Sequence, residues 1–324
     1  MPAAKRRPKI VALAGGVGGA KLAYGLAAVI PSEDLTVIVN TADDFTMFGL
    51  RICPDLDTVM YTLAGRANAS TGWGVAGDKF YAMAMLADYG ATDGWFNIGD
   101  YDFATHIVRT QQLREAGLSL TDVTAELAAS IGVQSRILPM CNEPVRTVIH
   151  TPNGKLNFQV YFVQRQQQDT VEGVEFFGIE KARPTEEARQ AILAADVIIF
   201  CPSNPIVSIG PILAVPGMRE LLLESSAPKV AVSPLVGGKA LKGPADKMMA
   251  SLGHEVSAYG VARLYAGTVN AMVIDHADAE QDDSIHALGM QVLATDAVMH
   301  DEADRTRFAH EVLDFALQVR HNEM

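Results

Sequence analysis

Five short runs, residues 9–14, 35–41, 197–201, 229–233 and 271–275, are almost wholly apolar and rich in β-branched side chains. A strand with one wet face alternates in polarity, whereas a strand covered on both faces does not. Helical patterns lie between the runs. Residues 20–29 follow a glycine cluster, and 57–64 follow a proline and stop before Gly65. Residues 185–195 open on Thr185 as a cap, with two glutamates in the first turn. Buried strands alternating with helices predict an α/β fold of the Rossmann-like, doubly wound kind with a mainly parallel sheet. The middle of the chain breaks this rhythm. Two alternating runs flank Asn153-Gly154, a strong hairpin signal, so residues 137–180 read as an inserted antiparallel β element. Residues 79–131 read as a helical region, and those from 301 onward as a docked helix. With no repeat and no low-complexity linker, a single α/β domain is expected over 1–324, its core in 9–66 and 185–324.

Composition removes several classes of function. Apolar residues are 49% of the chain and charged ones 20%, which suits a large core. Lys and Arg number 26 against 38 Asp and Glu, a formal charge of −12. Binding to a nucleic-acid backbone or an anionic lipid surface needs a basic face, so neither partner is expected. No run approaches the roughly 20 apolar residues of a membrane span. The basic start leads into a short apolar run that reads as a strand rather than a signal peptide. Three cysteines without a CxxC pair point to a reduced, cytoplasmic protein.

The first strand ends in Gly15-Gly16-Val17-Gly18-Gly19-Ala20-Lys21. Glycines allow a tight turn and close approach, and the helix that follows offers free N–H groups to an anion. Neither of the two familiar phosphate motifs fits. Leu22 stands where a Walker A loop needs Ser or Thr, and Lys21 stands where a dinucleotide fingerprint needs Gly. A phosphate loop of another type is expected; a tight turn without ligand is the alternative.

Asn40-Thr41-Ala42-Asp43-Asp44 follows the second strand, and Cys53-Pro54-Asp55-Leu56-Asp57 comes shortly after. Four carboxylates at the carboxyl edge of a parallel sheet repel phosphate unless a hard cation bridges them. Mg²⁺ held by one or two carboxylates plus substrate phosphates fits. Helix capping accounts for Asp55 or Asp57 taken singly. His106 and Arg109 share a helix face in Gly99-Asp100-Tyr101-Asp102-Phe103-Ala104-Thr105-His106-Ile107-Val108-Arg109, and read as a cationic pair for an anion. Trp73 and Trp95 offer planar surfaces. Pro202-Ser203-Asn204-Pro205 and Ser208 form a polar loop at a strand end, and Lys239 and Lys242 follow a second one.

In order along the chain, AGGVGGAKLAYGL, VNTADDFTMFGLRICPDLDTVMYTLAG, GWGVAGDKF, GDYDFATHIVR, LPM, FQVYFV, PSNPIVSIGPIL and VSPLVGGKALKGPA resemble the 2-phospho-L-lactate transferase family of coenzyme F420 biosynthesis. The resemblance runs from about residue 10 to 275, with Tyr101 and Phe103 departing from arginines common in archaeal members. It implies a Mg²⁺-dependent transferase, a homodimer in the family. The donor is a guanosine diphosphate-linked three-carbon acid: phospholactate, phosphoenolpyruvate or phosphoglycerate. The acceptor is the terminal hydroxyl of 7,8-didemethyl-8-hydroxy-5-deazariboflavin, and GMP is released.

On this reading Gly15, Gly16, Gly18, Gly19 and Lys21 hold the donor phosphates, and Ser203, Asn204 and Ser208 face its nucleotide. Asp43 and Asp55 bind metal, while Asp57, with Asp44, deprotonates the acceptor. Thr41, Trp73, His106 and Arg109 serve acceptor and phosphate. A nucleotide-sugar-binding regulator of related fold would lack the Pro54–Thr58 motif, and a nicotinamide dehydrogenase would keep the missing fingerprint.

Overall fold

The computed structural model describes residues 6–91 and 95–322. Seven strands form the central sheet: β1 (Ile10–Ala14), β2 (Leu35–Val39), β3 (Arg136–Pro139), β4 (Val197–Phe200), β5 (Lys229–Val232), β6 (Ala271–Asp275) and β7 (Gln291–Thr295). Their spatial order is β3-β2-β1-β4-β5-β6-β7, and every pairing is parallel. This is the doubly wound order with one strand added. Alternate residues of β1 feed two cores. Ile10, Ala12 and Ala14 pack toward helix α1 (Gly16–Val29), α2 (Pro54–Leu63) and the last helix, Glu302–Asn322. Val11 and Leu13 pack toward the helices on the other face. Both faces of the strand are dry, which is why the run is apolar without alternation.

The helical region holds α3 (Tyr81–Asp88), α4 (Asp100–Gln111) and α5 (Leu120–Ser130). The inserted β element is real but smaller than the sequence suggested. Arg146–Thr151 pairs antiparallel with Gly154–Asn157 and with Gly173–Phe177. Residues Arg136–Pro139, expected in the insertion, instead pair with β2, because Ile137 and Leu138 are buried on opposite faces of the main sheet. The second run beyond Asn153-Gly154 leaves the strand at Asn157. Val160–Gln164 makes a π-helical turn that buries Tyr161 against Ile149 and Phe158. No helix among the described residues is long and apolar enough to cross a membrane.

Candidate active site

The strand order reverses between β1 and β4, so a crevice opens at their carboxyl ends, the place where such sheets bind ligands. The β1–α1 turn and the loop after β4 are packed together there. The Gly15 N–H donates to Ser203 Oγ at 3.1 Å. A Cβ on Gly15 would lie 2.6 Å from Asp55 Oδ2, one on Gly19 2.5 Å from Ser203 Oγ, and one on Gly18 would run into the Pro202 carbonyl oxygen. These glycines are required by the protein's own close packing, before any ligand arrives. Gly16 has φ +61°, the left-handed turn that starts α1.

The four aspartates do not act as one cluster. Asp43 and Asp55 form one pair. Asn40, buried at the end of β2, donates from Nδ2 to Asp43 Oδ2 (3.1 Å) and to Asp55 Oδ2 (2.9 Å). Its Oδ1 accepts the Ala42 N–H and fixes the amide orientation. No protein cation reaches this pair among the described residues. Burial, then the Asp55 charge, holds Asp43 well above the usual carboxylate range. Burial pushes Asp55 up to about 6, against hydrogen bonds from Asn40 and the Gly16 N–H.

Asp44 and Asp57 form the other set, and both meet arginine. Arg51 holds Asp44 Oδ2 at 2.9 Å. Arg109 grips Asp57 with two nitrogens, one of them at 3.0 Å. On α4, Asp102, His106 and Arg109 lie on one face and meet Asp57 and Tyr61 of α2. The Tyr61 hydroxyl donates to Asp102 at 2.8 Å. His106 and Arg109 are 1% exposed. The anion this cationic pair faces is therefore the protein's own Asp57. Asp57, expected as the base, is here neutralised by a guanidinium, and His106 and Arg109, expected to meet acceptor and phosphate, meet that carboxylate. Asp57, Asp102 and His106 stand close enough to share a metal ion, but Arg109 occupies the same carboxylate. The Asp43–Asp55 pair meets no such counter-ion among the described residues. Beside it the Thr147 hydroxyl bonds the buried Asp43 carboxylate and favours its charged form. Hard carboxylate and hydroxyl oxygens of this kind suit Mg²⁺.

A cleft of about 180 Å³ adjoins this edge, lined by Asp43, Asp44, Trp95, Arg146, Thr147 and Gln159 among others. Asp44 Oδ1 is buried and unpartnered at its wall, and burial holds Asp44 above the usual carboxylate range despite Arg51. Other expected residues have structural duties. Asn204 Oδ1 accepts the Ile206 and Val207 N–H groups, and Ser208 precedes a short helix and packs on Gly15. Thr41 is buried against Cys141. Trp73 is 53% exposed on a loop away from the cleft that Trp95 lines. Lys21 donates to the Met299 carbonyl on the flank of α1 rather than to the glycine turn. Asn40, Arg51, Arg146 and Thr147 were not singled out by sequence. Only Asn40, a polar residue closing an apolar run, carried a readable signal.

Fold and site together define a Rossmann-like α/β protein with a carboxylate-lined edge. A family model described as 2-phospho-L-lactate transferase CofD matches residues 10–314, and the chain belongs to that family. A phosphoenolpyruvate transferase of Streptomyces griseus is 44% identical over 96% of this chain and 99% of its own length. A 2-phospho-L-lactate transferase of Methanosarcina barkeri is 38% identical over 90% of this chain and 93% of its own. A crystal structure of a UPF0052-family protein from Bacillus halodurans superposes with TM-score 0.62 at 17% identity, over 96% of this chain and all of that one, and shows the shared fold.

Proposed function

We propose that this chain transfers phosphoenolpyruvate from a guanosine diphosphate-linked donor to the terminal ribityl hydroxyl of the deazaflavin acceptor in coenzyme F420 biosynthesis. The choice of acid follows the Streptomyces relatives, which share more of this sequence than the Methanosarcina ones. One observation carries the chemistry. Two buried carboxylates, Asp43 and Asp55, share a single neutral donor and no cation at the mouth of the crevice. Asp43 and Asp55 would hold Mg²⁺, which when bound neutralises diphosphate charge.

The acceptor's polyol chain enters the cleft, where Thr147, Asn157 and Gln159 offer polar partners and Trp95 an aromatic wall. Asp44 Oδ1 takes the proton of the attacking hydroxyl, while Arg51 fixes the other oxygen of that carboxylate. The hydroxyl oxygen bonds to the phosphorus that bears the acid. The bond from that phosphorus to the bridging oxygen breaks, and GMP leaves with the oxygen. Arg109 and Asp57 keep α2 and α4 in register beneath this edge. Positioning and charge neutralisation supply most of the catalysis.

Incubation with the acceptor, Mg²⁺ and each of the three donors tests the reading. Mass spectrometry should show the phosphoenolpyruvate adduct and GMP; no adduct with any donor overturns it. The three buried, free cysteines fit a cytoplasmic enzyme. Phe80, Tyr81, Met85 and Tyr89 around α3, with Ile107 and Val108 of α4, are exposed apolar residues that a second copy would cover. Light scattering should report a dimer that Tyr81→Glu with Tyr89→Glu splits; a wild-type monomer sinks this part.

A further inference from the structure

The acidic loop after β2 is docked on the inserted β element, at the place where its hairpin stops. Arg146–Thr151 pairs with Gly154–Asn157 in a register that sets Val148 opposite Asn157 and Ile149 opposite Leu156. Thr147 opposite Phe158 would come next. On its other side the same strand pairs with Gly173–Phe177, and the His150 carbonyl accepts the Glu172 N–H from that side. Backbone groups alternate in direction along a strand, so those of Thr147, like those of Ile149 and Thr151, face the Gly154–Asn157 side. The Thr147 N–H is already taken: it donates to the Ala42 carbonyl at 2.6 Å. The acidic loop thus occupies the edge that Phe158 would need, and the chain turns away there despite its alternating sequence. It then passes through Gln166 and Gln167 at φ +50° and +59°, two successive left-handed residues that lack the freedom of glycine.

Two side chains continue the hold. The Gln159 amide donates from Nε2 to the Asp43 carbonyl at 3.4 Å, and the Thr147 hydroxyl bonds the Asp43 carboxylate. Thr147 and Gln159 are both buried. Threonine is β-branched and stiff at χ1, so one residue fixes the loop backbone at Ala42 and the side chain at Asp43 together. Asp55 comes from α2 and shares with Asp43 only the Asn40 amide. Two buried carboxylates repel each other, and one neutral amide does not stop them turning apart. The restraint on Asp43 has to come from a third segment, and Thr147 and Gln159 supply it.

We infer that Thr147, seconded by Gln159, is a positioning residue that keeps the Asp43 carboxylate beside Asp55 for a divalent cation. The inserted β element therefore sets the spacing of a site whose carboxylates it does not supply. This rests on the proposed reading of Asp43 and Asp55 as the cation pair, and not on the transfer chemistry. A carboxylate held in place before the cation arrives loses little freedom on binding it, so the hold acts on affinity.

Isothermal titration of Mn²⁺, an octahedral, oxygen-seeking stand-in for Mg²⁺, into the full chain stripped of metal and without substrates tests the hold. The wild type should bind and Asp43→Asn should not. Thr147→Val keeps the N–H and the shape but loses the hydroxyl, and its affinity should fall about tenfold. Thr147→Ser keeps the hydroxyl and should stay close to the wild type. Gln159→Met should weaken binding by a smaller factor. A threonine with only a structural duty would lower the melting temperature of Thr147→Val in chelator and leave its Mn²⁺ affinity unchanged. Unchanged affinity in Thr147→Val, or in Gln159→Met should the valine variant not fold, overturns the inference and leaves the cation pair standing. An equal loss in Thr147→Ser and Thr147→Val also overturns it. Absence of Mn²⁺ binding in the wild type overturns both the inference and the cation reading. Affinity lost in Thr147→Val and kept in Thr147→Ser, in a protein that forms no adduct, upholds the inference and sinks the transferase reading.

Discussion

Asp43 with Asp55 and Asp44 with Asp57 are two pairs of buried carboxylates a few residues apart, and the protein treats them in opposite ways. The first pair shares Asn40 and repels itself. The second is held by Arg51 and Arg109. Each sequence neighbourhood supplies one member to each pair. Asp55 and Asp57 are two residues apart on α2, so they point about 200° away from each other. One reaches the glycine turn and the other reaches α4. The unneutralised pair is held at a cost in folding energy, which is the usual mark of a site that waits for a ligand. The neutralised pair is the framework that holds it in place.

Removing Arg109 should break the framework and produce the largest effect. Arg109→Met leaves Asp57 buried without its cation, at about 3–5 kcal/mol. The melting temperature should drop by roughly 10 °C. Adding Asp57→Asn should recover part of the loss; an unchanged melting temperature in Arg109→Met would show that the ion pair carries no stability. Asp43→Asn or Asp55→Asn should do the converse. Adduct formation should fall at least about 100-fold, while stability in chelator stays equal or rises. Equal turnover would remove both residues from the cation site.

Asn40→Ala sharpens the contrast further. It strips both carboxylates of their common donor, at about 1–3 kcal/mol. Urea unfolding should show a lower midpoint in chelator.

The smallest effect is on pH. Asp55 titrates at about 6 in the folded protein and near 4 when unfolded. The folded form therefore holds its proton to higher pH. The associated stability is present below about pH 4 and is lost as pH rises through 6. In chelator, the wild type should lose stability over that range and Asp55→Asn should lose less. Parallel curves for the two proteins would show that Asp55 does not titrate there.

Much of the fold was written in local pattern. The strand over residues 271–275 appears with its predicted bounds, and the helix capped by Thr185 forms as read. β3 and β7 were missed. β3 is a four-residue edge strand that ends in a proline, a residue that marks a turn as readily as an edge strand, and most of β7 is only partly covered, so it makes no unbroken apolar run. At the site, acids at the sheet edge were legible because they flank strand ends. Their division was not, since it depends on Arg109, which lies 52 residues from Asp57 in sequence. Lys21 was misplaced for a similar reason. Its nearness to the glycines suggested shared work, but α1 begins at Gly16 and turns the lysine onto the helix flank.

The contact of Gly18 with the Pro202 carbonyl has a kinetic consequence. The two loops at the reversal point are wedged backbone to backbone, so neither moves without the other. Ligand has to enter a preorganised slot rather than one that it prises open, and little binding energy goes into reshaping the floor. Adaptation falls to the walls: the 66–78 loop over Val17 and the 157–160 segment beside the cleft. Differences in residence time between ligands should therefore trace to those walls, with the floor identical in each complex.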